Sequence, residues 1–255
     1  MNVRLEQVGS CLILHNRSEK RGAISVELYQ AIQEACARAD DGSVRSIILA
    51  GGAFFCAGGD LDLLAKRAEL PLDERRALIE RLHDTIRAMM ACPVPIIAAV
   101  EGGAAGAGLS ITLACDFVVA AEQAQFTAAY IKAGLTPDGG LTHFLSLALP
   151  RQLVMELCLL AQPISAERLA NFGVVTTLVP KGQAFDQAQA LAAELAQGPA
   201  QAQSRIRNLL NAAPNQTLSQ QLDCEADFMA EAQGGAEAAC GIRAFLEKRQ
   251  PEFPT

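Results

Sequence analysis

Apolar positions along the chain change their spacing at definite places, and those changes divide it into elements. Residues 3–8 and 11–15 are apolar-rich runs of strand length around Gly9-Ser10, which predicts a hairpin. After Ser25 the spacing becomes helical: Leu28, Ile32 and Ala35 share a face, Ser25 can cap the first turn, and Glu27 lies in it. Asp40-Asp41-Gly42 ends that helix, and the β-branched run at 45–50 predicts a buried strand. Residues 61–90 read as helix interrupted at Pro71, with Leu78, Leu82 and Ile86 on one buried face, until Pro93 and Pro95 break it. Strands are expected at 96–100, 116–121 and 124–126, with a short apolar helix at 109–114. Two glycine-rich segments, 51–60 and 102–108, read as loops. From about Ala184 only helical patterns remain, at 188–195, 204–210, 218–228 and 236–248, punctuated by Pro199 and Pro214.

The order strand, glycine loop, helix, strand, glycine loop, helix, strand argues for an α/β architecture followed by a helical appendage. No tandem sequence repeat is evident. With 255 residues, 51% of them hydrophobic and 19% charged, the chain has material for a sizeable core. The formal charge of −7 and the lack of a basic tract argue against nucleic acid or an anionic membrane as partner. No apolar run approaches the ~20 residues of a membrane span, and the first residues do not read as a signal peptide. Eight scattered cysteines include no C-x-x-C pair, so reduced thiols in the cytoplasm are expected rather than a disulfide framework. His15, His83 and His143 show no metal-ligand spacing, and no metal site is expected.

Candidate chemistry sits in the glycine segments. Each follows a buried strand and opens a helix. The first N–H groups of a helix have no internal partner and lie at its positive end, and glycine lets backbone approach a ligand without a Cβ in the way. Two such termini aimed at one point would form an oxyanion hole, with each donor worth about 3–4 kcal/mol against developing charge. On the residues alone, tight strand-to-helix packing explains the glycines equally well. Neither segment is a Walker A loop, and neither fits a dinucleotide fingerprint.

Several stretches, in order, resemble the enoyl-CoA hydratase/isomerase (crotonase) superfamily. Phe55-Cys56-Ala57-Gly58-Gly59-Asp60-Leu61 is similar to its first motif. Pro95-Ile96-Ile97-Ala98-Ala99-Val100-Glu101-Gly102 and Gly106-Ala107-Gly108 follow at the family's usual distance, then Ala114-Cys115-Asp116 and Gly134-Leu135-Thr136-Pro137-Asp138-Gly139-Gly140. Ile164-Ser165-Ala166-Glu167-Arg168-Leu169, Phe172-Gly173-Val174-Val175 and Ala244-Phe245-Leu246-Glu247-Lys248-Arg249 complete the match. The resemblance implies a crotonase spiral of strand-strand-helix turns over residues 1–195, carrying an acyl-CoA site. Residues 196–255 would then be a helical segment that builds a homotrimer, commonly paired into a hexamer. It implies no permanently bound cofactor, coenzyme A entering as part of the thioester substrate.

By the same resemblance, the backbone N–H groups of Gly59 and Ala107 form the oxyanion hole. Residues 21–23, with Arg21 and Ala23, match the N-terminal part of the coenzyme A site, and Ala57–Leu61, with Ala57, Gly58, Asp60 and Leu61, correspond to the loop that holds adenine and pantetheine. Lys248 or Arg249 would meet the nucleotide phosphates, against the rival reading of a solvated helix end. The two positions where hydratases carry glutamates hold Ser110 and Tyr130, which puts ordinary water addition in doubt. Asp138 remains as the acid–base candidate, in a stretch similar to members that isomerise ring-epoxide or oxepin thioesters: the oxepin-CoA hydrolase, alternative type, and phenylacetate-pathway isomerase groups. The rival role for Asp138 is a cap for a helix starting near Gly140.

The remaining expectations are narrower. Asp60 is expected to cap the following helix, Tyr130 to line an apolar pocket rather than donate a hydrogen bond, and Ser110 to bond within its own helix. Glu101 stands as second-choice base. The chain is thus expected to be an enzyme that stabilises a thioester enolate, with enoyl-CoA hydration as the near alternative and a non-catalytic acyl-CoA binder as the alternative of another class.

Overall fold

The computed structural model describes residues 2–254. β1 (Val3–Val8) and β2 (Cys11–Asn16) form the expected antiparallel hairpin, with Val8 opposite Cys11. α1 (Val26–Arg38) starts where Ser25 Oγ accepts the Leu28 N–H at 3.2 Å, and it buries Leu28, Ile32, Ala35 and Cys36. β3 (Ser46–Ala50) is buried along its whole length. α2 (Leu61–Arg67) and α3 (Leu72–Ala91) divide at Pro71, as the sequence predicts. Then come β4 (Ile96–Val100), β5 (Gly103–Ala105), α4 (Ala107–Leu113), β6 (Phe117–Ala121) and β7 (Gln125–Thr127). A 3-10 turn over Ala129–Ala133 leads to α5 (Leu141–Ala148) and α6 (Arg151–Leu160). β8 (Ile164–Ser165), α7 (Ala166–Ala170) and β9 (Thr177–Val179) close the core, and α8 (Ala184–Ala196), α9 (Ala200–Ala212), α10 (Leu218–Gln233) and α11 (Ala236–Leu246) follow.

Two sheets organise these elements. The larger has the order β1-β2-β3-β4-β6-β9 and is parallel from β2 onward; the smaller is β5-β7-β8. Three strands of the large sheet, β3, β4 and β6, hand the chain to the small one or to its edge. β4 leads to β5, β6 leads to β7, and after β3 the single residue Cys56 makes a parallel bridge to Ala104 of β5. Helices then return the chain to the large sheet. Successive strand-strand-helix turns therefore stack into a spiral without any repeat in the sequence, since each turn needs only the pattern and not the residues.

β5 corrects the reading of 102–108 as loop throughout. A Cβ on Gly103 would stand 1.9 Å from the Gln125 carbonyl oxygen, so this glycine serves close strand pairing rather than a turn.

The large sheet is covered on both faces. Ile47 and Leu49 point into the main core with α1 and α3, while Ile48, Ile97 and Val119 point to the opposite face. There Ala184, Ala188 and Ala192 let α8 lie close against the strands. Arg207 of α9 ties the C-terminal helices to this core. Its side chain is 6% exposed, Nε donates to Asp116 Oδ2 at 2.8 Å, and the guanidinium also reaches the carbonyls of Met89, Met90 and Cys92. Losing one partner of such a buried pair costs about 3–5 kcal/mol. Among the described residues no helix is long and apolar enough to cross a membrane.

Candidate active site

The first glycine segment is clamped from two sides. Ala57 N–H donates to the Arg21 carbonyl at 3.0 Å and Ile24 N–H to the Gly58 carbonyl at 2.8 Å, while the Cys56 carbonyl accepts from Ala105 N–H at 2.9 Å. The second segment runs beside it in backbone contact. Gly58 has φ +85°, and a Cβ there would lie 2.8 Å from the Ala105 carbonyl oxygen and 3.2 Å from the Ala107 nitrogen. A Cβ on Gly108 would meet the Cys56 carbonyl oxygen at 2.3 Å. The packing explanation for the glycines thus holds, and the same packing brings the two amide-bearing turns together. Ala107 is the first residue of α4, where an N–H has no helical acceptor. Among the described residues neither the Gly59 nor the Ala107 N–H has a hydrogen-bond partner.

Both residues line one cavity of about 420 Å³. Leu64 of α2, Leu78, Ile79 and Leu82 of α3, and Leu135 and Pro137 from the loop before α5 supply apolar walls. Ala57 and Leu61 also line it. Of the expected buried face of α3, Leu82 and Ile86 are buried, and Leu78 turns to the cavity instead.

Asp138 brings a carboxylate to this cavity. Its Oδ1 accepts the Tyr130 hydroxyl at 2.7 Å, and its carbonyl accepts Ser110 Oγ at 3.0 Å. Gly139, at φ +60°, lets the loop rest on Ser110, whose Cβ a glycine Cβ would meet at 2.9 Å. Burial, followed by the Asp138 charge, pushes the Tyr130 phenol well above its ordinary pKa of 10, so it remains a neutral donor. The Tyr29 phenol is pushed up by burial first and Asp138 second.

These contacts decide among the expectations. The Asp138 carboxylate does not cap α5: Gly140 occupies the N-cap without a side-chain bond, and only the Asp138 carbonyl meets the helix, at Leu141 N–H. Tyr130 both lines the cavity and donates, which corrects the expectation of lining alone. Ser110 bonds outside its helix, to Asp138, because the chain before α5 folds directly over it. Asp60 caps α2 through Asp62 N–H at 2.9 Å and pairs with Lys20 at 2.7 Å; Lys20 holds its carboxyl below the usual range.

Glu101, the second-choice base, is not among the residues that line this cavity. Its Oε1 accepts the N–H groups of Gly182 and Ala184, each at 3.0 Å, and so is committed to the start of α8. Arg21 stacks its guanidinium 4.0 Å from the Phe54 ring centre, and borders a separate groove of about 510 Å³. Ala23 N–H bonds the Lys20 carbonyl, beside Ile24 at the cavity edge. Lys248 follows α11 and does not line the cavity; Arg249 pairs with Glu247 at 2.6 Å. His15 contacts Glu6, and His143 packs on Phe144.

Three ionisable side chains of the cavity were assigned to no site by the sequence reading: Tyr29, Arg67 and His83. Arg67 was legible in principle, since it follows Leu61 and Leu64 at three-residue spacing on one helix face. Tyr29 and His83 adjoin buried positions of their helices and carry no motif.

A family model described as enoyl-CoA hydratase/isomerase matches residues 6–255. A probable enoyl-CoA hydratase of Rhodobacter capsulatus is 35% identical over 246 residues, 96% of this chain and 94% of that protein. The 1,2-epoxyphenylacetyl-CoA isomerase of Escherichia coli is 35% identical over 241 residues, 93% and 92% of the two chains. The crystal structure of an enoyl-CoA hydratase from Polaromonas sp. JS666 superposes with a TM-score of 0.95 at 40% identity, covering 99% of each chain. The stacked spiral, the paired glycine turns and a match along almost the whole length lead to one assignment: the chain belongs to the enoyl-CoA hydratase/isomerase family and has the crotonase fold.

Proposed function

We propose that this acyl-CoA enzyme forms and reprotonates a thioester enolate, and that its product-forming step is isomerisation or ring-epoxide/oxepin chemistry rather than hydration. The observation that carries this reading is the cavity's acid–base content: among its described lining residues Asp138 is the sole carboxylate, and Tyr130 holds it by a 2.7 Å hydrogen bond.

In the proposed sequence, the thioester oxygen sits between the Gly59 and Ala107 amides. Asp138 removes a proton from the carbon next to the carbonyl, and the electron pair moves onto the oxygen. Each amide then contributes about 3–4 kcal/mol to the anion. Asp138 returns the proton at a different carbon, so the double bond moves and no water is consumed. Hydration would need a second base to position water, and Ser110 and Tyr130 stand where the hydratase resemblance places glutamates. The likeness to 1,2-epoxyphenylacetyl-CoA isomerase supports the isomerase reading, and the hydratase names of the other relatives support the alternative.

Coenzyme A enters as part of the substrate, and nothing in this chemistry requires a resident cofactor. We assign Arg21, Ala23, Gly58, Asp60 and Lys248 to its nucleotide and pantetheine end. Residues 196–255 we read as the segment that joins three copies, then six, because Leu210, Leu218, Met229 and Phe245 are each more than 60% exposed there. The eight free thiols support a cytoplasmic location.

Asp138→Asn should lower solvent deuterium exchange at the α-carbon by about 10²- to 10⁴-fold while thioester binding stays within a few-fold. Undiminished exchange would remove Asp138 from the mechanism. Hydration of crotonyl-CoA by the wild-type chain at a rate comparable to exchange would establish the hydratase instead.

A further inference from the structure

Two thiols that the proposed chemistry does not use meet in the seam between α1 and α3. Cys36 lies in the last turn of α1 and is 6% exposed; Cys92 stands at the C-cap of α3 and is 2% exposed. The two helices pack on each other, and both residues belong to the main core. The Cys36 S–H donates to the Cys92 sulfur. Buried cysteines commonly act as small apolar fillers, but two that touch can also exchange electrons.

Their surroundings favour that second role. Arg207 donates to the Cys92 carbonyl, which puts a positive charge beside this residue. The Cys92 thiol is held below its ordinary pKa by the hydrogen bond from Cys36, then by the Val94 N–H and Arg207, against the opposing effect of burial. Cys36 is pushed up by Cys92 first and burial second, so one sulfur yields its proton and the other keeps it. Cys115 stays apart from this exchange: its Sγ donates to the Ile111 carbonyl at 3.4 Å, and burial pushes its thiol up. Pro93 and Val94, directly after Cys92, and Ala39, three residues after Cys36, line a groove of about 360 Å³ that shares no lining residue with the acyl-CoA cavity. A small molecule in that groove is one residue from Cys92.

The same helices supply walls of the cavity. Tyr29 stands about two turns before Cys36 on α1, and α3 supplies Leu78, Ile79 and Leu82. Between these ends Gln33 Nε2 donates to Thr85 Oγ1 at 2.9 Å, so a shift at the thiols is carried along the seam.

We propose that Cys36 and Cys92 form a thiol–disulfide switch, closed by hydroperoxides, that lowers turnover when it closes. The Cys92 sulfur attacks one oxygen of hydrogen peroxide. The O–O bond breaks, Cys92 becomes a sulfenic acid, and the other oxygen takes the thiol proton and leaves as water. The Cys36 sulfur then attacks the Cys92 sulfur. An S–S bond forms, the S–O bond breaks, and the departing hydroxide takes the Cys36 proton as a second water. The thiol pair gives up two electrons and the peroxide accepts them; a dithiol reverses the change by exchange. Closure draws the ends of α1 and α3 together and pulls Cys92 against the Arg207 clamp on its carbonyl. A displacement of about 1 Å in the walls costs on the order of 10-fold or more in rate.

The test treats the purified chain with hydrogen peroxide, maps its disulfides by non-reducing mass spectrometry, and follows deuterium exchange into 3-hexenoyl-CoA. A Cys36–Cys92 bond should form before any other, exchange should fall by about 10-fold, and dithiothreitol should reverse both. In Cys36→Ala the bond cannot form, and dimedone should capture a sulfenic acid at Cys92 instead. Cys92→Ala should keep its exchange rate in the same peroxide. The proposal is overturned if the wild type forms no Cys36–Cys92 bond, if the bond leaves exchange unchanged, or if Cys92→Ala loses as much activity as the wild type. Should either variant fail to fold, the wild-type map and its reversal by dithiothreitol decide alone. The map is read whether or not the chain exchanges deuterium, so a chain without exchange counts against the acyl-CoA reading and not against the pair.

Discussion

The Tyr130 hydroxyl shows how one side chain governs another in this site. It donates to the Asp138 carboxylate, lies 3.3 Å from Ser110 Oγ, and is buried enough to stay neutral. Hydrogen bonds to charged groups are worth about 1.5–3 kcal/mol, so Tyr130→Phe should reduce enolate formation by about 10- to 100-fold with little change in binding. The sign of the pH effect follows from the raised pKa. Above pH 10 an unfolded tyrosine releases its proton while the folded one retains it, so the folded state binds more protons and stability falls as pH rises. The chain has only two tyrosines, Tyr29 and Tyr130, and both are shifted upward. Melting temperature measured from pH 9 upward should therefore decline, and less steeply in Tyr130→Phe; equal slopes would mean that the phenol is not held neutral. Asp138 could be nominated from its motif. Its partner could not, because Tyr130 lies on the preceding 3-10 turn and nothing in the spacing aims one at the other.

At the scale of elements, the glycine-bearing turns do two jobs in one place. Gly58 gives the chain a positive φ and lets Ala105 and Ala107 approach it. Gly58→Ala should cost about 1–3 kcal/mol in stability from backbone strain. Its loss of activity should be larger than that implies, because the neighbouring Gly59 amide moves out of line with Ala107. Gly9, at φ +59° with nothing within 4 Å of where a Cβ would stand, provides the comparison: Gly9→Ala carries the strain but should leave exchange activity unchanged. Melting curves and exchange rates on the two variants separate the effects, and a Gly58→Ala enzyme with full activity would argue against a shared hole. Helix starts were well marked in the sequence, as at Ser25 and Pro71, since caps and proline act locally. β5 was not, because its three residues become a strand only by lying against β7.

The whole molecule leaves apolar surface uncovered at its C-terminal end. Phe245 is 83% exposed, Leu246 76%, and Leu218 75%, far more than a lone surface leucine would require explaining. Light scattering on the purified chain should give the mass of three or six copies, and Phe245→Glu with Leu246→Glu should lower it while the fold, judged by circular dichroism, persists. A wild-type monomer at micromolar concentration would sink the oligomer.

The sequence by itself determined the order of most elements, the caps that start α1 and α2, and the two glycine turns that mark the family. Those are local matters of spacing, backbone freedom and side-chain capping. The tertiary structure alone decided which carboxylate serves the cavity. Glu101 and Asp138 both stand near a glycine segment in the chain, but Glu101 is spent on the amides of α8, whereas Asp138 meets Tyr130. It also brought Arg67 and Tyr29 from separate helices to one wall. Contacts of that kind depend on how distant segments pack, and a linear pattern carries no record of them.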